Sequence, residues 1–285
     1  MPWDYLSEIQ KNVLFASIIG DGEITKLYRN SRRINNSYRE HYGISQEDYR
    51  YWKKDFFPDL LYITPKSQTL RSKSDPLFTK LYPHFYNAEG NKIIPVQLLP
   101  LCKNIHFLAI LYMDDGTLSI TTTINHRKRL IYLTPHIYLY LQNYQHDDLL
   151  LLQNHIRDVF KFNFKLSKRK DGYGFILKFT SVQDTYEFLK SISPVTKTCR
   201  TMEYKTNWGV RFQLETNKFQ QLYPDYKVIA SCSSRSKPYS SEEIKILIKL
   251  KTQKHTIQQI ADHLNRSYWS VVYKTRELRK SGLLK

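Results

Sequence analysis

The chain has 285 residues, room for one large domain or a large domain with a small companion, and its 41% hydrophobic and 14% aromatic content excludes a disordered polyelectrolyte. Forty-four Lys and Arg against 26 Asp and Glu leave a net charge of +18, with Tyr and Phe interspersed among the cations. That pattern suits a folded surface tracking a phosphate backbone and disfavours an acidic membrane surface, since no long amphipathic basic helix is available to lie on one.

Ser7 followed by Gln10 reads as a capping box that opens a helix through about Gly20. Ile9, Val13, Ala16 and Gly20 fall on one stripe of it, with Leu14 and Ile18 beside. Glu23 to about Tyr42 is basic and strand-like, with a turn near Asn30, and Gln46 to Leu61 has helical spacing through Tyr49, Trp52, Phe56 and Leu60. Lys66 to Ser74 and Leu77 to Tyr86 read as two more short strands, or a strand and a loop, before Pro95 and Pro100 break the pattern.

A second helix is expected from about Ile105 to Asp114, and the order then repeats. Gly116 to Thr123 and Leu130 to Tyr140 are strand-like, and Asp147 to Phe160 is a helix. Phe162 to Lys168 and Gly174 to Thr180 form a hairpin around Asp171-Gly172, and Val182 to about Ile192 is a closing helix. Two copies of helix, two strands, helix, two strands, helix amount to an internal duplication, with halves at 1–104 and 105–230. A polar linker, 231–238, leads to a segment at 239–285 with three helical patterns, the last carrying Trp269, Val271, Val272, Thr275 and Leu278.

Cys102, Cys199 and Cys232 are far apart and show no CxxC spacing, so neither a zinc knuckle nor a disulfide framework is indicated. No apolar run approaches the ~18 residues of a membrane span, and Met1-Pro2-Trp3-Asp4-Tyr5 does not open a signal peptide. The expected location is cytoplasm or an organelle matrix, without secretion.

The two helices that begin the copies end alike: Leu14-Phe15-Ala16-Ser17-Ile18-Ile19-Gly20-Asp21-Gly22 and Leu108-Ala109-Ile110-Leu111-Tyr112-Met113-Asp114-Asp115-Gly116. A carboxylate at a helix C-terminus faces the negative end of the dipole, at a cost of roughly 0.3–1 kcal/mol, so an acid placed there twice implies a compensating cation. Two such acids brought together repel one another, yet jointly hold a divalent metal. Hydrolysis of a phosphodiester needs an activated water, a neutralised transition state and a stabilised leaving alkoxide, and divalent ions on a few carboxylates provide all three. Ala16 and Gly20 permit close helix approach; Ile110 and Asp114, at the corresponding places of the second helix, predict looser packing there.

This doubled motif resembles that of LAGLIDADG homing endonucleases of the single-chain, double-motif branch. The resemblance covers about Ser7 to Trp208 and includes Tyr112-Met113-Asp114-Asp115-Gly116 and Met202-Glu203-Tyr204-Lys205. It implies an α+β fold of two pseudo-symmetric αββαββα halves, with the motif helices at their interface and antiparallel sheets forming a saddle over the major groove. It also implies that Asp21 and Asp115 are catalytic acids binding Mg²⁺ (or Mn²⁺), that the carbonyls of Gly20 and Asp114 are further metal contacts, and that Lys92 and Lys205 stand near the metals as catalytic lysines. The C-terminal segment resembles a Myb-like helix-turn-helix, through Ile260-Ala261-Asp262-His263-Leu264-Asn265-Arg266-Ser267 and Ser270-Val271-Val272-Tyr273-Lys274.

Alternation on strands places every second residue on a reading face. Arg29, Arg32, Arg33, Arg39, Lys66, Arg71 and Lys73 are the DNA-binding candidates of the first half, and Arg127, Lys128, Arg129, Lys165, Lys168 and Lys170 those of the second. In the C-terminal segment Ser267, Tyr268, Ser270, Lys274 and Arg276 are candidates, beside a basic cluster that includes Arg266, Arg279 and Lys280. The expectation is a monomeric, site-specific double-strand DNA endonuclease cutting across the minor groove in service of intron mobility. Its rivals on the same fold are an RNA maturase that binds intron RNA and a non-catalytic DNA-binding regulator.

Overall fold

A computed structural model describes residues 3–169, 171–231, 238–266 and 268–284. The chain divides into two compact units, Met1–Ser233 and Ser234–Lys285. Lys170 and Ser267, and the side chain of Trp269, lie outside what is described.

In the first unit, helix α1 (Glu8–Ile19) opens on the expected capping box: Ser7 Oγ accepts from the Gln10 amide, and Gln10 Oε1 from the Ser7 amide. Asn12 to Ile19 are all buried, so α1 is a core helix rather than an amphipathic one. Then follow β1 (Glu23–Ile24), β2 (Tyr38–His41), α2 (Glu47–Lys54), β3 (Leu61–Thr64), β4 (Thr69–Ser72) and α3 (Pro76–Phe85). Two expectations are corrected here. The helix expected over Gln46 to Leu61 stops at Lys54, short of Pro58, which restricts the residue before it. Leu77 to Tyr86 is a helix and not a strand: Asp75 caps it by accepting from the Leu77 amide, Pro76 stands in its first turn, and Leu77, Phe78, Leu81 and Phe85 bury one face. The strands pair antiparallel in the order β1-β2-β4-β3.

The second half repeats this with α4 (Ile105–Asp115), β5 (Gly116–Asn125), β6 (Leu130–Leu139), α5 (His146–Phe160), β7 (Lys165–Lys168), β8 (Phe175–Lys178) and α6 (Val182–Thr196). Its strands run antiparallel in the order β5-β6-β8-β7. The short α7 (Glu203–Thr206), α8 (Trp208–Leu222) and β9 (Lys227–Ala230) follow, and β9 adds to the sheet by pairing parallel to β6. The architecture is therefore the α+β arrangement of two αββαββα halves.

Helices α1 and α4 lie side by side in one continuous core. Their ends are close, against the looser packing expected: a Cβ on Gly20 would stand 2.7 Å from Asp114 Cβ.

The second unit consists of α9 (Ser241–Thr252), α10 (Ile257–His263) and α11 (Tyr268–Lys280), around Leu247, Ile260, Ala261, Val271, Leu278 and Leu284. Ser240 with Glu243 and Thr256 with Gln259 form capping boxes at the first two helices. Among the described residues, no helix is long and apolar enough to cross a membrane.

Candidate metal centre

Asp115 is the last residue of α4, and Asp21 follows the end of α1 by two residues. Both line one open cavity of about 710 Å³, together with Gly20, Glu23, Arg39, His41, Arg50, Lys92, Asp114 and Asn143. Each acid sits in the middle of a three-residue turn whose flanking carbonyls are clamped by one lysine. Lys92 Nζ donates to the carbonyls of Gly20 and Gly22, both at 2.7 Å. Lys205 Nζ donates to the carbonyls of Gly116 at 3.2 Å and Asp114 at 3.5 Å. The lysines come from equivalent places: Lys92 follows α3 and bridges to Tyr86, and Lys205 lies in α7 just after α6. The carbonyls of Gly20 and Asp114, named as metal contacts, thus each accept from a lysine.

The acids stand in unlike surroundings. Arg50 Nη2 donates to Asp21 Oδ2 at 2.7 Å, while the Asp21 side chain stays 30% exposed. Asp115 is half-buried. Burial raises its carboxyl well above the usual range, and the charges of Asp21 and Asp114 add to the rise against the pull of Lys92 and Lys205. Burial likewise lowers the ammonium groups of Lys92 and Lys205, with the surrounding carboxylates opposing it. A divalent cation beside Asp115 would reverse its penalty, since an opposite charge favours the ionised carboxylate. The donor set therefore fits a hard, oxygen-seeking ion.

One oxygen each of Asp21, Glu40 and Asp114 lie within 4.8 Å of one another, which resembles a second metal cluster. Their other contacts decide otherwise. Lys53 Nζ donates to Glu40 at 2.7 Å and to both oxygens of Asp114 at 2.8 and 2.9 Å. Arg50 Nε lies 2.8 Å from Glu40, and Tyr49 donates its hydroxyl to Asp114 at 2.7 Å. Glu40 and Asp114 are fully enclosed by these partners, so the trio is a salt-bridge network. It consumes the Asp114 side chain and leaves Asp115 as the counterpart of Asp21. The sequence reading missed Glu40, Tyr49, Arg50 and Lys53. Their signal was an acid between Tyr38 and Tyr42 on the inward side of a strand, and two cations on the helical face that carries Tyr49. Among the described residues the second half shows no such network: α5 buries Leu149, Leu152 and Ile156, whereas α2 buries Tyr49, Arg50 and Lys53.

The DNA-binding candidates are dispersed. Arg39 and Arg71 face each other across β2 and β4 on the exposed side of the first sheet. Arg29, Arg32 and Arg33 lie in the β1–β2 loop, where Arg33 also donates to Thr25 and Ser37. Lys66 is in the β3–β4 connection, and Lys73 lies past β4 in a different recess, with Leu61 and Asp75. Arg127, Lys128 and Arg129 occupy the β5–β6 turn rather than a sheet face. Lys165 and Lys168 end β7. In the second unit Tyr268, Ser270, Lys274 and Arg276 lie on α11. Lys274 donates to Glu277 and packs over the Tyr239 ring. Arg266, of the same basic cluster, forks onto Glu243 at 2.8 and 2.9 Å and bonds the Pro238 carbonyl.

Comparison with solved structures places this fold beside the homing endonuclease I-WcaI bound to its DNA recognition sequence. The two share 20% identity over 72% of this chain and 88% of that one, with a TM-score of 0.54. The meganuclease I-SmaMI, solved with uncleavable DNA, is 13% identical over 75% and 94% of the two chains, at a TM-score of 0.47. No curated protein matches in sequence. Residues 11–185 match the LAGLIDADG DNA endonuclease family. The doubled Asp-Gly helix ends, the paired lysine clamps and this match, which spans more than half the sequence, lead to one conclusion: the chain belongs to the LAGLIDADG DNA endonuclease family.

Proposed function

We propose that the chain is a site-specific double-strand DNA endonuclease that acts as a monomer, with Mg²⁺ or Mn²⁺ held by Asp21 and Asp115. The observation that carries this reading is the repeated turn: an acid between two lysine-clamped carbonyls, built twice and facing one cavity. The bound ions would supply Lewis acidity to the scissile phosphate and lower the pKa of the attacking water. Arg50 fixes one oxygen of Asp21 and so sets the direction of the other. Lys92 and Lys205 hold both carbonyls of each turn, which makes them positioning residues whose charge also offsets the clustered carboxylates. The carbonyls of Gly20 and Asp114 keep a second lone pair for a metal. Arg29, Arg32, Arg127, Lys128, Arg129, Lys165 and Lys168 serve as phosphate contacts, and Tyr268, Ser270 and Arg276 of α11 extend binding beyond the saddle.

The test is incubation of purified protein and Mg²⁺ with DNA of the insertion-free host locus, beside Asp21→Asn, Asp115→Asn and EDTA controls. A discrete double-strand cut, lost in all three controls while both variants still bind DNA, is expected. Undiminished cutting by either variant would overturn the site assignment. Binding without cutting would favour the regulator, and tight binding to intron RNA alone would favour the maturase.

A further inference from the structure

The two motif turns differ at the residue before the acid, Gly20 in the first and Asp114 in the second. With no side chain before it, Asp21 is gripped directly, by Arg50 Nη2 at 2.7 Å. Asp115 is reached through its neighbour. The Asp114 side chain lies against Gly20 across the α1–α4 interface, and Lys53 and Tyr49 of the first half hold its carboxylate at 2.7 to 2.9 Å. Helix α2 thus supplies a grip on both turns, although α1 and α4 belong to different halves.

The two grips meet at one atom. Arg50 Nε and Lys53 Nζ lie 2.8 and 2.7 Å from the same oxygen of Glu40, Oε1, and the Tyr38 hydroxyl donates to the other. The Tyr49 ring stands beside both cations, 4.8 Å from the Arg50 guanidinium and 4.9 Å from the Lys53 ammonium. Stability alone gives little reason for such an arrangement, because well-packed apolar side chains of similar volume often serve a buried site as well or better. Helix α5 of the second half is built that way, on Leu149, Leu152 and Ile156. What charge-assisted bonds add is direction, since each holds a donor and an acceptor in one geometry. Two acids that must share divalent ions need that precision.

Resting on the endonuclease reading above, we propose that Glu40 is a positioning residue. Through Arg50 and Lys53 it sets Asp21 and Asp115 relative to one another, so that one device in the first half aligns both metal-holding acids.

The test uses the full chain with DNA of the insertion-free host locus, and reads Mn²⁺ affinity as well as cleavage. Glu40→Gln keeps the shape of the side chain and removes the charge that gathers the two cations. Its DNA affinity without divalent metal should be unchanged. Mn²⁺ affinity above that of the duplex alone is followed on ice, before cutting begins, by the paramagnetic resonance of the free ion. It should fall about 10–100-fold, and the single-turnover rate on both strands should fall with it. Tyr49→Phe, which removes only the hydroxyl on Asp114, should show smaller losses in the same two readings. Leu152→Ala opens a cavity in α5 and so lowers stability, yet it should keep both readings while folded. Unaltered Mn²⁺ affinity and rate in folded Glu40→Gln, or in Tyr49→Phe where Glu40→Gln does not fold, would overturn the positioning role. Losses of the same size in folded Leu152→Ala would do so too, and either result leaves the endonuclease reading intact. An unmodified protein that binds no Mn²⁺ beyond the duplex and makes no cut would overturn that reading, and the role of Glu40 with it.

Discussion

At Glu40, a single buried carboxylate holds two cations and a phenol: Lys53 at 2.7 Å, Arg50 at 2.8 Å and the Tyr38 hydroxyl at 2.5 Å. Removing one member of such a group leaves uncompensated charge in the interior, which costs about 3–5 kcal/mol. Glu40→Ala is accordingly expected to lower the unfolding free energy by about 3–5 kcal/mol and with it the urea midpoint, whereas Lys73→Ala, at an exposed position, should leave the midpoint almost unchanged. Equal midpoints for the two would show that the network contributes nothing to stability. This residue scale is also where the sequence was least legible. Asp21, Asp115, Lys92 and Lys205 stood out because a duplicated pattern places them twice. Arg50 and Lys53 did not, because cations on a short helix between aromatic residues read as solvent-facing until tertiary contacts enclose them.

Helix ends and strand order were easier to read than side-chain environments. The capping box at Ser7, the hairpin around Asp171-Gly172 and the doubled helix C-termini are local signals, and each is met by the fold. Helix α3 was missed because its cap, Asp75-Pro76, was passed over in favour of the apolar run behind it. Helix α8 and strand β9 were missed because they belong to neither copy of the repeat. The start of α9 makes a testable claim about acid. Bonds from Arg266 and the Ser240 amide hold the Glu243 carboxyl at about 2, below its ordinary 4.5. A depressed carboxyl stabilises the fold fully above its unfolded pKa and ceases to do so as pH falls through the folded one. The second unit should therefore lose helicity between about pH 4.5 and 2, and Arg266→Ala should flatten that dependence in a far-ultraviolet dichroism titration. An identical profile for the variant would exclude the fork as its cause.

Across the whole molecule, the second unit has its own core and caps, so its removal should leave the first folded. Deletion from Tyr239 onward is expected to preserve cleavage while weakening DNA binding and reducing the slope of affinity against salt, because fewer phosphate contacts release fewer counterions. Unchanged affinity and slope would show that α11 is not a DNA-contacting element. Fusion of the halves has a further effect, visible in the interiors of α2 and α5. In a symmetric dimer every substitution is made twice, so a buried arginine on one side obliges a buried arginine on the other. Here α2 buries Arg50 and Lys53 while α5 buries Leu149, Leu152 and Ile156, and each half has taken its own course. Such a chain can exchange the recognition surface of one side while the other keeps its grip, and so drift to a new address one half at a time.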